Sequence, residues 1–169
     1  HLIYEGFDGN DWEIYYYQHT NPSMAPIQLT NNDSDDRMPQ VFGGASPMAV
    51  WSAFDGEDYE IQLFDIGLYM GLDVFSQAAY TGLPLTNNNF DDLSPQVSDQ
   101  AVAWWADEHG NNEVYYFDLA TQYDPLLGIA TGQAENVSTS DGNDTAPVLD
   151  GADLVWSGHD GTDYELYYY

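Results

Sequence analysis

The sequence predicts an all-β chain built from repeated four-stranded antiparallel sheets, and three observations predict it. A ten-residue aromatic-acidic phrase occurs four times, short alternating runs of aliphatic and aromatic residues flank each copy, and Asp-Gly pairs stand in three copies where hairpins turn. Repetition of this kind marks an architecture in which one sheet cannot bury its faces alone and stacks on the next.

The phrases align without gaps on a glutamate: Tyr4 to Glu13, Trp51 to Glu60, Trp104 to Glu113 and Trp156 to Glu165. Each puts an aromatic nine places before the glutamate. After it come Ile14-Tyr15-Tyr16-Tyr17, Ile61-Gln62-Leu63-Phe64, Val114-Tyr115-Tyr116-Phe117 and Leu166-Tyr167-Tyr168-Tyr169, strands by residue type and by period. Before the aromatic lie runs such as Met48-Ala49-Val50-Trp51 and Asp153-Leu154-Val155-Trp156, so every phrase reads as a β-hairpin.

A second phrase precedes three of the hairpins. It runs from Leu29-Thr30-Asn31-Asn32 through Asp35-Asp36 to Pro39, from Leu85-Thr86-Asn87-Asn88 through Asp91-Asp92 to Pro95, and from Val137-Ser138 through Asp144 to Pro147. One strand ends at the Leu-Thr and another starts at the proline. Four strands per repeat, with glutamates 47, 53 and 52 residues apart, is the size of a propeller blade. The expectation is therefore β-propeller blades of four antiparallel strands, about four repeats at residues 1–30, 31–86, 87–138 and 139–169. The first and last are incomplete: one lacks its Asp-x-x-Pro strand, the other an outer strand leading into Leu-Thr. Either a longer propeller contains this segment or neighbouring chains complete each other's sheets. The second case predicts self-association through exposed strand edges, whose free amides and carbonyls recruit another strand.

The order Leu-Thr, Asp-Asp-x-x-Pro-Gln-Val, Val-Trp and Asp-Gly-x-Asp-Tyr-Glu-Ile resembles the TolB-type β-propeller repeat, especially the acidic versions of secreted bacterial proteins. The resemblance covers nearly the whole chain. It implies radial four-stranded blades around a central channel, in a family that includes scaffolds, binding modules and the propeller halves of enzymes. The chain departs from the pattern where His109 stands in the aligned glycine slot, and in the insertions Gly67 to Gly82 and Ala120 to Gly132.

In 169 residues there is one Lys or Arg, Arg37, against 29 Asp and Glu, for a net charge of −28. That balance sets aside nucleic acids and anionic membrane surfaces, which are held by patches of Lys and Arg. With 43% hydrophobic residues and 15% aromatics there is ample material for a core, so the charge is no sign of disorder. The chain has no cysteine, which excludes disulfides, thiol nucleophiles and thiolate metal sites. Self-repulsion on this scale calls for screening by salt, bound cations or extensive burial.

The strongest chemical feature is the repeated aspartate before the proline. Asp35, Asp36, Asp91, Asp92 and Asp144 occupy equivalent loops, and gathered carboxylates with hard oxygen donors suit calcium. The competing reading is that they cap turns through their own backbone. A second acidic set, Asp8, Asp11, Asp55, Asp58, Asp160 and Asp163, lies in the hairpin turns; its Asp-Gly-x-Asp spacing lacks the twelve-residue frame of a calcium loop, so turn chemistry accounts for it. Glu13, Glu60, Glu113 and Glu165 recur at strand starts, where repetition points to a structural role; a catalytic residue would be singular.

Catalytic residues are assigned to none of these positions. Four histidines and scattered serines form no nucleophile elbow, and a chance carboxylate pair carries no specificity for glycoside hydrolysis. His1, with His19, His109 or His159, offers copper ligands by type alone. Tyr4, Trp51, Trp104 and Trp156 read as core between blades, whereas Tyr69, Phe75, Tyr80 and Tyr123 in the insertions are the candidate ligand-binding aromatics, suited to stacking on a glycan. Sequons at Asn32, Asn136 and Asn143 agree with an exported protein. The reading is a non-catalytic extracellular or cell-surface module for adhesion or self-assembly, a fibre built by strand complementation, with calcium on its acidic loops. The alternative is a carbohydrate-binding or carbohydrate-active propeller.

Overall fold

The computed structural model describes residues 1–20, 23 and 25–169. Its first sheet holds β1 (Leu2–Phe7), β2 (Trp12–Tyr17) and β3 (Ile27–Gln28). The second holds β4 (Asp36–Phe42), β5 (Met48–Phe54), β6 (Tyr59–Asp65) and, after helices α1 (Ile66–Gly71) and α2 (Val74–Ala79), β7 (Leu83–Pro84). The third holds β8 (Asp92–Val97), β9 (Ala101–Glu108) and β10 (Asn111–Asp118). Helix α3 (Leu119–Gln122) and a small ribbon of β11 (Tyr123–Asp124) and β12 (Ile129–Ala130) then precede its last strand, β13 (Glu135–Asn136). β14 (Asp144–Asp150), β15 (Asp153–His159) and β16 (Tyr164–Tyr168) form the fourth. All strand pairs are antiparallel, and each main sheet follows chain order.

Period-two alternation sends successive side chains to opposite faces, and in the two middle sheets both faces are covered. Met48 and Val50 of β5 face the third sheet, where they meet Trp104 and Phe117; Ala49 and Trp51 face the first, where they meet Ile14 and Tyr16. Ala101, Ala103, Val114 and Tyr116 of the third sheet meet Leu154 and Trp156 of the fourth. The sheets thus stack in chain order, with three apolar cores between them. Each repeat-locked tryptophan packs onto the sheet before its own. Tyr4, expected in such a core, is instead 36% exposed, because among the described residues no sheet packs before the first.

Three bulges recur at one place. Met38, Ser94 and Ala146, each immediately before a proline, have positive φ of 55°, 53° and 54°, and the ladder to the next strand skips there. The bulge swings the opening aspartate of β4, β8 and β14 inward.

Candidate functional site

Asp36, Asp92 and Asp144 are buried, and each accepts the indole N–H of the tryptophan in the neighbouring strand: Trp51 at 2.8 Å, Trp104 at 2.7 Å and Trp156 at 3.0 Å. The second oxygen accepts from Asn32 Nδ2 at 2.8 Å, Asn88 Nδ2 at 2.6 Å and the Ser140 hydroxyl at 2.5 Å, respectively. Burial pushes Asp36 up to about 6 against these donors, and raises Asp92 in the same direction. Asp35 and Asp91 reach across to the preceding sheet, accepting the backbone N–H of Trp12 and Tyr59 at 3.1 Å; Asn143 does the same for Asn112 at 3.0 Å. The proline-loop aspartates are therefore engaged one by one in inter-strand and inter-sheet hydrogen bonds.

The glutamates belong to the same lattice. Glu13 accepts the Asn32 N–H at 2.9 Å and Glu60 the Asn88 N–H at 2.6 Å; the Thr30, Thr86 and Ser138 hydroxyls accept from the N–H of Ile14, Ile61 and Val114, each at 2.8 Å. Ser138 also donates to Glu113.

Carboxylates converge elsewhere. Asp8, Asp11 and Glu13 offer oxygens within 4.8 Å of one another, as do Asp55, Asp58 and Glu60, and Asp160, Asp163 and Glu165. All three groups sit on the hairpin turns. Asp8 and Asp55 accept the N–H groups of their own turns, which lowers their pKa. Asp11 and Asp58 are raised instead, by burial first, then by Asp8 for Asp11 and by Glu60 and Asp55 for Asp58. No histidine joins these groups among the described residues. His1 Nδ1 lies 2.6 Å from the Tyr16 hydroxyl, and His159 Nδ1 accepts from Gly161.

The insertion aromatics divide. Tyr123 is 7% exposed, packs in the core between the second and third sheets, and donates to Asp65 Oδ2 at 3.0 Å. Tyr69 and Tyr80 pack on Phe64, with ring centroids 5.2 and 4.8 Å away. Phe75, on α2, is 86% exposed. Asp65 is a residue the sequence reading passed over: besides Tyr123 it caps α1 through the Leu68 N–H at 2.7 Å. Its signal is positional, since Asp118, at the same place after Phe117, caps α3. The sequon asparagines Asn32, Asn136 and Asn143 all have hydrogen-bonded side chains.

The stack of antiparallel sheets is a propeller-like all-β fold, and solved structures share it. The chain is similar to TolB from Acinetobacter baumannii, with a TM-score of 0.63 at 14% identity over 98% of this chain and 37% of that one. It is similar also to Porphyromonas gingivalis dipeptidyl peptidase 4, with a TM-score of 0.57 at 16% identity over 88% of this chain and 19% of that one. Pyrococcus horikoshii acylaminoacyl peptidase gives a TM-score of 0.58 at 11% identity over 99% and 26%. At these identities the likeness is one of fold. The chain spans well under half the length of each. No protein-family model matches the chain, and no curated protein matches it in sequence.

Proposed function

We propose that the four sheets are consecutive blades of a propeller, the first and last with three strands each, and that the chain is a non-catalytic extracellular module for adhesion or self-assembly. The observation that carries the reading is a core face without a core. Leu166 follows the repeat glutamate just as Ile14, Ile61 and Val114 do; those three are fully buried, whereas Leu166 is 79% exposed. Tyr168, equivalent to Tyr16, Leu63 and Tyr116, is likewise exposed. The outer face of the fourth sheet is thus patterned to receive another sheet of the same kind, and β16 lies at its edge. The hydrogen-bonded lattice of carboxylates, repeated in register, also suits a scaffold better than a single reactive centre.

A second copy of the chain offers such a sheet, since Leu2 and Tyr4 of β1, which strand alternation puts on the face turned away from the second sheet, are exposed. Sedimentation velocity over a hundredfold concentration range tests this: the chain associates as concentration rises, and Leu166→Asp abolishes the association. A chain that sediments as a monomer throughout overturns the reading. The carbohydrate-binding alternative is favoured by the exposure of Phe75, and glycan-array binding lost in Phe75→Ala would put it first.

A further inference from the structure

The same turn is used differently in different repeats, and the difference points to an ion. In the first hairpin Asp11 is 6% exposed and neither of its carboxylate oxygens has a hydrogen-bond partner; in the second Asp58 is 8% exposed and its Oδ1 has none. Glu13 and Glu60, buried beside them, each keep Oε2 unpartnered. A buried carboxylate oxygen without a donor is costly, and the cost grows when a second carboxylate faces it. Two such groups in each of two turns, with the chain's one Arg lying over the Trp12 ring at 4.6 Å, leave a positive partner to be supplied from outside.

The third hairpin supplies the comparison. Aligned on the glutamate, Asn111 stands where Asp11 and Asp58 stand. Its Nδ2 donates to Glu113 Oε1 at 2.6 Å and to the Ser140 carbonyl at 2.9 Å, so the glutamate that its counterparts leave half-satisfied is here filled by a neutral amide. Where the chain carries a donor, the site is closed internally. Where it carries an acid, the oxygens converge without one.

We propose that the hairpin turns of the first and second sheets are calcium sites, held by Asp8, Asp11 and Glu13 in one and by Asp55, Asp58 and Glu60 in the other. Three carboxylates with oxygens within 4.8 Å of one another can be bridged by one ion with bonds of about 2.3–2.6 Å, and an all-oxygen donor set selects a hard cation over the metals that histidine and thiolate prefer. The fourth turn has the same three acids, but Glu165 and Asp163 are exposed, so its ion is the weaker one. This inference stands apart from the assembly reading.

Calorimetric titration of the chelator-treated full chain with calcium chloride at pH 7 tests it. Two higher-affinity sites are expected; Asp11→Asn removes one, Asp58→Asn the other, and the double variant loses both. Asparagine at these positions reproduces the third turn, and circular dichroism checks that each variant folds. The same calcium raises the melting temperature of the parent chain by more than that of the double variant, which keeps only the weaker ion of the fourth turn. No binding at millimolar calcium, binding undiminished in the variants, or an equal thermal gain from sodium chloride at matched ionic strength overturns the proposal.

Discussion

Asp36 is 2% exposed, bonded to two donors, and still resists ionisation because burial outweighs them. Its pKa rises on folding from 3.8 to about 6, so between about pH 4 and 6 the folded chain binds more protons than the unfolded one. The contribution of Asp36 to stability accordingly falls as pH rises through that window and is greatest below it, by an amount on the order of 3 kcal/mol for a shift of this size. Asp92 acts in the same sense. Urea unfolding in metal-free buffer is expected to show this negative slope between pH 4.5 and 6.5, flattened in Asp36→Asn, whose carbonyl oxygen still accepts the Trp51 indole. A slope unchanged by the substitution would place the titration elsewhere. The importance of Asp36 is legible in the sequence, since aspartate recurs three places before the repeat prolines Pro39, Pro95 and Pro147. Its role is not. The indole that claims it lies 15 residues on in Trp51, and only the bulge at Met38 brings the two together. For the same reason the sequence cannot tell the saturated aspartates from the unsaturated ones at Asp11 and Asp58: a free oxygen is a property of the packed neighbourhood.

The hairpins were plain in the sequence because strand alternation and turn chemistry agree. Asp8-Gly9-Asn10-Asp11, Asp55-Gly56-Glu57-Asp58 and Asp160-Gly161-Thr162-Asp163 form like four-residue turns, each with glycine at a φ near 100° where a Cβ would be strained. The third differs, as the displaced glycine implied. Glu108 pairs with Asn111, leaving a two-residue turn of His109 and Gly110 with φ of 59° and 90°. Positive φ at both positions is the primed geometry that Asn-Gly adopts most readily. His109→Asn is therefore expected to stabilise the chain by about 0.5 kcal/mol, a rise of about 1–2 °C in melting temperature. A lower melting temperature would show that the His109 ring, which meets Phe90 edge-on at 6.4 Å, contributes more than the backbone strain costs. The short helices left little trace in the sequence. At four to six residues they are too brief for a 3.6-residue period, and what defines them is the capping carboxylates of Asp65, Asp73 and Asp118.

A net charge of −28 is spread over a stack whose cores are apolar and whose turns and proline loops carry the acids. The single ion pair among the described residues, Arg37 with Glu5 at 3.4 Å, joins the first two sheets, is partly exposed, and is worth at most about 1 kcal/mol. Cohesion therefore rests on apolar burial and the hydrogen-bonded lattice, while the surface field opposes it. Two kinds of cation relieve that field, and they leave different signatures. Raising sodium chloride from 10 mM to 1 M shortens the screening length from about 30 Å to about 3 Å, so diffuse repulsion fades gradually over the whole range. In the presence of chelator, scanning calorimetry at pH 7 is expected to show the melting temperature climbing by about 5 °C or more, a gain of roughly 2 kcal/mol for a chain of this size, with no plateau at low millimolar salt. The Asp11→Asn, Asp58→Asn double variant should follow the same salt curve, because removing two charges of 28 barely changes a diffuse field. Calcium should add a further rise that levels off once the turn sites fill, larger in the parent chain than in the double variant, which keeps only the weaker fourth turn. A melting temperature indifferent to sodium chloride would mean that the acidic surface costs the fold little, because its charges are already dispersed among donors and water.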